Sequence, residues 1–267
     1  MPTFELDGAT LDHDVAGDDG PLVVQLHGLT SCRERDERMG LDLARALRHH
    51  RVLRYDARGH GRSTGDRHPA SYAWHHLAED LLALLDHVAP GETVHGLGPS
   101  MGAATLLHAA LRDPGRFASL TLAVPPTAWT TRRAQAAAYL ASAELVEREG
   151  LAAFVARAAT TGPPPALADA PLTEPAVPEH LLPSVLRGAA STDLPPAEAL
   201  TGIDVPTLVL AWSDDPGHPL STAALLHELV DDSRLVVART PYGIMAWPGL
   251  VADHVASHAE RARHPLR

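Results

Sequence analysis

The sequence predicts an α/β fold in which a mostly parallel central sheet is covered by helices on both faces. Two observations support this prediction: short apolar runs typical of buried strands alternate with segments of helical periodicity, and no apolar run is long enough to span a membrane. The alternation runs through residues 1–126, stops over residues 127–202 and resumes over residues 203–267. We therefore expect one α/β core built from two parts of the chain, with a helical cap inserted between them.

In the first part of the core, strands and helices are predicted in regular alternation. The predicted strands are Pro21–Leu26, Arg51–Tyr55, Thr93–Leu97 and Leu120–Val124. The predicted helices are Glu34–His50, Ser71–Val88 and Met101–Leu111. Ser71 is the expected N-cap of the second helix, and Pro90 and Gly91 end that element.

The cap shows helical patterns but no strand pattern. Its predicted helices are Arg132–Glu149, Leu151–Ala159, Glu179–Arg187 and Pro195–Leu200. Six prolines fall between residues 163 and 178; this Pro-rich stretch is interpreted as part of a compact insertion, with a flexible linker as the alternative. After the cap, strands are predicted at Pro206–Leu210 and Arg234–Val237, each followed by a helix.

The composition argues against several classes of function. The formal net charge is −11 and there is no basic stripe, so we expect no nucleic-acid partner. Cys32 is the only cysteine, which excludes an internal disulfide and a multi-cysteine metal site. No cofactor fingerprint is present, and the pair His254 and His258 lacks a third ligand, so neither a cofactor nor a metal is expected. The first residues lack a signal-peptide pattern, which predicts a cytoplasmic protein that acts on a small molecule away from the membrane.

The strongest functional signal is the pattern G-x-S-x-G at residues 98–102, between a predicted strand and a predicted helix. Its glycines permit a sharp, strained turn. Such a turn raises the hydroxyl of Ser100 above the sheet at the helix N-terminus, where free N–H groups favour negative charge. Ser100 is therefore the candidate nucleophile, and Pro99 is expected beside it in the substrate pocket.

A second signal, His27-Gly28-Leu29, directly follows the first predicted strand. In a loop at this position, a backbone N–H can pair with the N–H of the residue after the nucleophile to bind an oxyanion. The expected donors are the N–H groups of Leu29 and Met101. His27 and Gly28 are expected at the pocket, where His27 fixes the loop and the backbone binds the substrate.

Together with the segment Asp56-Ala57-Arg58-Gly59-His60-Gly61-Arg62-Ser63, these motifs resemble the α/β-hydrolase superfamily in order and spacing. The cap is loosely similar to that of enol-lactone hydrolases. The resemblance implies a catalytic triad in the chain order Ser, Asp, His, with Ser100 on the nucleophile elbow. It implies the acid in the loop of residues 211–219, at Asp215, with Asp214 as the second choice.

The resemblance also implies a histidine after the last strand, but this sequence has Ile244 between Gly243 and Met245. An isoleucine cannot accept a proton, so the triad is expected to be incomplete, and Ile244 and Trp247 are expected to make the substrate pocket more apolar. Among the 17 histidines, His218 in the Asp215 loop is the best candidate for a relocated base. The alternative for His218 is a solvent-exposed loop residue.

Three functions are compatible with these expectations. The preferred hypothesis is a non-hydrolytic tailoring enzyme that eliminates, cyclises or rearranges a small oxygenated carbonyl compound, because an apolar pocket discourages water as a reactant. In this hypothesis Ser100 and the oxyanion donors act without a triad histidine. The alternatives are an ester or lactone hydrolase with Ser100 as nucleophile and a relocated base, and a catalytically inactive binding protein.

Overall fold

The computed structural model describes residues 2–17, 19–160, 162–171 and 173–263. These residues form an eight-stranded sheet with the strand order β1-β2-β4-β3-β5-β6-β7-β8. The strands are β1 (Thr3–Leu6), β2 (Ala9–Ala16), β3 (Leu22–Gln25), β4 (Arg51–Tyr55), β5 (Val94–Pro99), β6 (Phe117–Ala123), β7 (Thr207–Trp212) and β8 (Ser233–Ala238). Strands β3 to β8 are parallel to one another, whereas β2 pairs antiparallel with β1 and with β4. The predicted α/β fold with a mostly parallel sheet is therefore confirmed.

Helices cover both faces of the sheet. They are α1 (Arg33–Arg38), α2 (Trp74–Val88), α3 (Met101–Arg112), α4 (Arg132–Ala159), α5 (Leu182–Ala190), α6 (Ala197–Leu200), α7 (Leu220–Leu229), α8 (Pro241–Met245), α9 (Trp247–Ser257) and α10 (Ala259–Arg263). Neighbouring residues of β3 face different apolar clusters: Leu22 and Val24 pack in the cluster that contains α2 and α3, and Val23 packs in the cluster that contains α9. Because both faces are buried, the strands are continuous apolar runs in the sequence.

Two details of the sequence prediction are wrong. Residues 34–50 do not form one helix, because α1 is only six residues long and Leu43–Ala46 form a separate 3-10 helix. Gly40 lies between the two pieces with φ of 75°, a left-handed conformation that interrupts a helix. Helix α2 begins at Trp74 with Ala73 as its N-cap, so Ser71 does not cap it. The prediction also omitted the N-terminal hairpin of β1 and β2.

The described residues between β6 and β7 form helices and no strand, as expected for the cap. Gly150 has φ of 83° and kinks α4, which agrees with the predicted division into two helices at that point. The Pro-rich stretch is tied to the core: Ala176 N–H donates to Thr30 C=O (2.8 Å), and Gly61 N–H donates to Ala176 C=O (2.7 Å). These bonds hold this part of the stretch against the loops that follow β3 and β4, where a flexible linker would make no fixed contact.

No helix in the described part of the chain combines the length and apolar character that a membrane span requires. The same residues contain no group of three or more His, Cys, Asp or Glu side chains that could hold a metal ion. The rings of His254 and His258 do lie close together, with 4.9 Å between their centroids. However, His254 Nε2 donates to Leu120 C=O (3.1 Å), so this pair supports the packing of α9 on β6.

Candidate active site

Ser100 occupies a strained turn between β5 and α3. Its φ of 53° and ψ of −111° lie outside the conformations that non-glycine residues ordinarily adopt. The turn requires both flanking glycines, because a Cβ on Gly98 would lie 2.8 Å from the backbone carbon of Gly102, and a Cβ on Gly102 would lie 2.8 Å from Leu26 Cβ. The pattern G-x-S-x-G therefore forms the nucleophile elbow that the sequence predicts, with Pro99 buried as the last residue of β5.

The loop after β3 lies directly against this turn. A Cβ built on Gly28 would be 3.7 Å from Ser100 Cβ, an ordinary van der Waals distance, so the loop is in contact with the turn that carries Ser100. Leu29 follows in this loop, and Met101 is the first residue of α3, whose N–H has no partner within the helix. The placement of Leu29 and Met101 as oxyanion donors remains a prediction, and the adjacency of the two segments supports it.

His27 is buried and holds the same loop in place. Its Nε2 accepts a hydrogen bond from Ala57 N–H (2.9 Å), so the proton is on Nδ1, which donates to Gly28 C=O (2.8 Å). Burial lowers the pKa of His27, and this favours the neutral ring. With both ring nitrogens occupied, His27 connects the loops after β3 and β4, in agreement with its expected structural role.

The loop after β7 brings Asp215 and His218 to Ser100. His218 Nε2 lies 2.8 Å from Ser100 Oγ, and His218 Nδ1 lies 2.8 Å from Asp215 Oδ2. The neighbouring Asp214 has φ of 61° and is exposed, so it forms the turn, and Asp215 is the carboxylate that contacts His218. The loop is fixed to the chain that follows β6 by a bond from Thr127 N–H to Gly217 C=O (3.0 Å).

Three donors surround the carboxylate of Asp215. His218 Nδ1–H and Trp212 Nε1–H both bond to Oδ2, and Gly217 N–H bonds to Oδ1, each at 2.8 Å. Burial alone would raise the pKa of Asp215, but His218, Trp212 and Gly217 outweigh it and lower the pKa to about 2. Asp215 is therefore ionised at neutral pH. Because an ionised carboxylate can only accept, a neutral His218 carries its proton on Nδ1 and presents Nε2 to Ser100 as an acceptor.

The expectation of an incomplete triad is therefore wrong in geometry. Ile244 stands after β8 where the resemblance implies a histidine, but His218, three residues after Asp215, lies between Ser100 and Asp215. The sequence did contain a signal, since an Asp and a His three residues apart in one short loop can bond to each other. His218 was the best candidate for a relocated base in the sequence, although the resemblance places the histidine after a different strand.

Apolar side chains occupy the region where the usual histidine would be. Ile244 is 7% exposed and belongs to the apolar cluster of α9. Trp247 is 0% exposed and stacks on Trp212 with 6.0 Å between ring centroids, and Trp212 in turn meets the ring of His218 edge-on at 5.8 Å. Trp247 was expected to line the substrate pocket; it lies instead beneath the Asp215 loop, which it supports through Trp212.

Comparison with known proteins agrees with this architecture. Residues 21–158 match the model of the α/β-hydrolase fold family. The chain is 31% identical to "3-oxoadipate enol-lactonase 1" of Acinetobacter baylyi over 248 residues, which are 86% of this chain and 85% of the relative. This protein therefore belongs to the α/β-hydrolase fold family.

Two further relatives define the extent of the similarity. The crystal structure of a hydrolase from Pseudomonas aeruginosa PA01 superimposes with a TM-score of 0.78 at 28% identity, covering 96% of this chain and 97% of the other. The chain is also 35% identical over 112 residues to "Probable oxidoreductase EphD" of Mycobacterium tuberculosis, which is 41% of this chain but only 18% of that much longer protein. The similarity to EphD is therefore confined to one segment.

Proposed function

We propose that this protein hydrolyses carboxylic esters or lactones of small molecules, with Ser100 as nucleophile, His218 as general base and Asp215 as the acid that orients His218. The observation that carries the proposal is the chain of two 2.8 Å contacts from Ser100 Oγ through His218 to Asp215 Oδ2. The similarity over most of its length to a protein described as an enol-lactonase supports the choice of ester and lactone substrates.

The geometry suits acyl transfer. His218 Nε2 accepts the proton of Ser100 Oγ as the oxygen forms a bond to the substrate carbonyl carbon, and Asp215 stabilises the imidazolium that results. The oxyanion accepts hydrogen bonds from the N–H groups of Leu29 and Met101. His218 then returns the proton to the leaving alkoxide, and a water molecule, activated in the same way, releases the acid from Ser100.

The non-hydrolytic hypothesis rests on two grounds: an apolar pocket that discourages water, and the absence of a triad histidine. His218 removes the second ground, because it is within hydrogen-bond distance of the Ser100 hydroxyl. An inactive binding protein is disfavoured for the same reason, since neither a strained elbow nor an ion pair beside it would be needed to bind a ligand. A hydrolase with a relocated base is the simplest function for this set of residues.

The test measures hydrolysis of p-nitrophenyl butyrate and of a small lactone by wild type, Ser100→Ala and His218→Ala. We expect kcat to fall by about 10⁶ in either variant, the order seen when the serine or the histidine of such a triad is removed. The matched control is His180→Ala, an exposed histidine of the cap, which should retain wild-type kcat.

A fluorophosphonate probe adds an independent readout, because it labels only an activated serine. Wild type should be labelled at Ser100, and His218→Ala should be labelled far more slowly. Turnover that survives in His218→Ala would show that His218 is not the base. Wild-type protein that neither turns over esters and lactones nor reacts with the probe would refute the hydrolase proposal.

A further inference from the structure

The Asp215 loop, residues 213–219, carries both the acid and the base of the proposed triad. Asp215 and His218 are three residues apart in it, and His218 Nε2 lies 2.8 Å from Ser100 Oγ. When the acid and the histidine follow different strands, each has its own loop. Here a displacement of one loop moves both side chains relative to Ser100, so the contacts that fix this loop bear directly on catalysis.

A buried main-chain bond fixes the Asp215 loop to the chain that follows β6. Thr127 N–H donates to Gly217 C=O (3.0 Å), and Gly217 N–H donates to Asp215 Oδ1 (2.8 Å). Thr127 is 3% exposed, so water does not readily replace its bond. A shift of Thr127 therefore displaces the loop at the residue that lies between the acid and the base.

The chain that presents Thr127 is strained on both sides. Val124 has φ of 42° and Trp129 has φ of 49°, a left-handed conformation that is rare for bulky and β-branched residues. Such a conformation persists only where the surrounding contacts hold it. The position of Thr127 therefore depends on what holds this segment.

A buried arginine connects Thr127 to the cap. Arg132, the first residue of α4, donates from Nη1–H to Thr127 Oγ1 (3.2 Å), from Nε–H to Thr192 C=O (2.9 Å) and from Nη2–H to Ala189 C=O. Ala189 belongs to the last turn of α5, whose carbonyls lack partners within the helix and favour a cation. The guanidinium therefore joins the C-terminal end of a cap helix to the chain after β6.

The guanidinium is enclosed and not available to a ligand. Arg132 is 4% exposed, and its Cζ lies 4.2 Å from the ring centroid of Trp74 and 5.4 Å from that of Tyr139. Burial lowers the pKa of Arg132, but an arginine remains charged. Its acceptors are carbonyl and hydroxyl oxygens, so the rigid fork of N–H donors, and not the charge alone, decides which parts of the chain it holds together.

We propose that Arg132 is a positioning residue of the triad. By holding Thr127 to the end of α5, it keeps the Asp215 loop at the place from which His218 reaches Ser100. The inference rests on the proposed function for the roles of the three triad residues, and it makes turnover depend on how the cap packs on the core.

The test measures kcat and KM for p-nitrophenyl butyrate in Arg132→Met, Thr127→Val and the double variant. Each rate is divided by the amount of Ser100 that a fluorophosphonate probe titrates, so unfolded molecules do not enter kcat. We expect Arg132→Met to lower kcat by about 10²-fold, the cost of misplacing catalytic groups by about 1 Å. Thr127→Val, which removes the hydroxyl that accepts from Arg132, should lower kcat by about 10-fold.

KM should stay within about two-fold of wild type, because a loss confined to the transition state lowers kcat and kcat/KM equally. The double variant should lose no more than Arg132→Met alone, since the Thr127 hydroxyl acts only through the guanidinium. Arg132→Lys should recover part of the loss, and Thr127→Ser, which keeps the hydroxyl, should recover most of it.

A second readout follows the loop independently of turnover. The proton on His218 Nδ1 should give a downfield ¹H resonance in ¹⁵N-labelled protein while its 2.8 Å bond to Asp215 is intact. In Arg132→Met and Thr127→Val this resonance should broaden and move upfield, because the loosened loop exposes the proton to water. A merely structural arginine would change the free energy of unfolding and leave the resonance in place.

Arg133→Met is the matched control, because it removes the same charge from the next position of α4 at an exposed side chain. It should retain the kcat, KM and His218 resonance of wild type. Should Arg132→Met not fold, Thr127→Val and Thr127→Ser carry the comparison. Unchanged kcat or an unchanged resonance in Thr127→Val, a rise in KM without a fall in kcat, or losses that add in the double variant would overturn the proposal.

The two proposals fail separately. Wild-type protein that hydrolyses no ester, while the His218 resonance still depends on Thr127 and Arg132, refutes the hydrolase function and supports Arg132 as the residue that fixes the loop. Protein that hydrolyses esters through Ser100 with the same kcat in Thr127→Val refutes the positioning role and supports the hydrolase function.

Discussion

Trp212 is expected to decide how the active site responds to Asp215→Asn. Asp215 Oδ2 accepts from Trp212 Nε1–H and His218 Nδ1–H, and Oδ1 accepts from Gly217 N–H. The amide of the variant must direct its NH₂ group toward one side of this arrangement. When the NH₂ group faces Gly217, the amide oxygen faces His218. The ring then keeps its proton on Nδ1 and can still accept the proton of Ser100 at Nε2, which is its productive tautomer. With the NH₂ toward His218, the ring must accept at Nδ1, which places its proton on Nε2 and prevents it from taking the proton of Ser100.

Each orientation of the amide opposes one N–H donor, Gly217 in the first and Trp212 in the second, so both orientations are populated. In the molecules that keep the productive tautomer, kcat falls because Asp215→Asn removes the negative charge beside His218. The pKa of Asp215 falls from 3.8 to about 2; at about 1.4 kcal/mol per unit, the interactions with its donors therefore exceed the opposing cost of burial by roughly 2.5 kcal/mol. We therefore expect Asp215→Asn alone to lower kcat by about 10²-fold.

Trp212→Phe removes the indole N–H, which is the only donor that opposes the amide orientation with NH₂ toward His218. In the Asp215→Asn background, only Gly217 N–H then orients the amide, and it favours the orientation with the unproductive tautomer of His218. The double variant should lose about 10⁴-fold, the loss seen when the triad acid of a serine protease is replaced by its amide. Trp212→Phe alone should lower kcat only a few-fold, because Asp215 keeps two of its three donors.

The assay is kcat for p-nitrophenyl butyrate in the four proteins of this cycle, with ¹⁵N chemical shifts of the His218 ring as the readout of its tautomer. Thermal unfolding of each variant monitors the loss of the Trp212 stack on Trp247. The reasoning is refuted if Trp212→Phe lowers kcat by the same factor in both backgrounds, or if Asp215→Asn alone already gives the unproductive tautomer throughout.

Three further predictions concern the surroundings of the triad. Ile244→His should not raise kcat and should lower the free energy of unfolding by about 1–3 kcal/mol, measured in urea, because Ile244 packs in an apolar cluster; a gain in kcat would contradict His218 as the sufficient base. Gly98→Ala should lower both the free energy of unfolding and kcat, because its Cβ would lie 2.8 Å from the backbone carbon of Gly102, which cannot move away without distorting the turn. Wild-type values would show that the elbow tolerates a side chain at this position. Burial raises the pKa of Asp36 from 3.8 to about 7, although a hydrogen bond from Ser31 opposes this shift. The folded state therefore favours the protonated carboxyl group, and the stability that Asp36 contributes is complete below about pH 4 and is lost as pH rises through 7. Asp36→Asn should therefore be more stable than wild type at pH 8, by at most about 4 kcal/mol, with the difference vanishing near pH 4; an equal difference at both pH values would contradict the raised pKa.

The sequence alone determined the fold class and the elbow, because both depend on local patterns. Apolar runs buried on two faces of the sheet and helices of regular periodicity are recognisable within a dozen residues. The glycines at 98 and 102 are required by backbone contacts within the turn and with the adjacent strand, so a five-residue pattern was enough to place Ser100. The N-terminal hairpin escaped prediction because β1 and β2 mix polar and apolar residues and acquire their strand character by pairing.

Only the tertiary structure decided which histidine completes the triad. His218 and Ser100 are 118 residues apart, and their contact depends on the parallel alignment of β5, β6 and β7, which brings the ends of these strands to one edge of the sheet. No local pattern encodes that distance, so the sequence could name His218 as a candidate for a relocated base but could not show that it reaches Ser100.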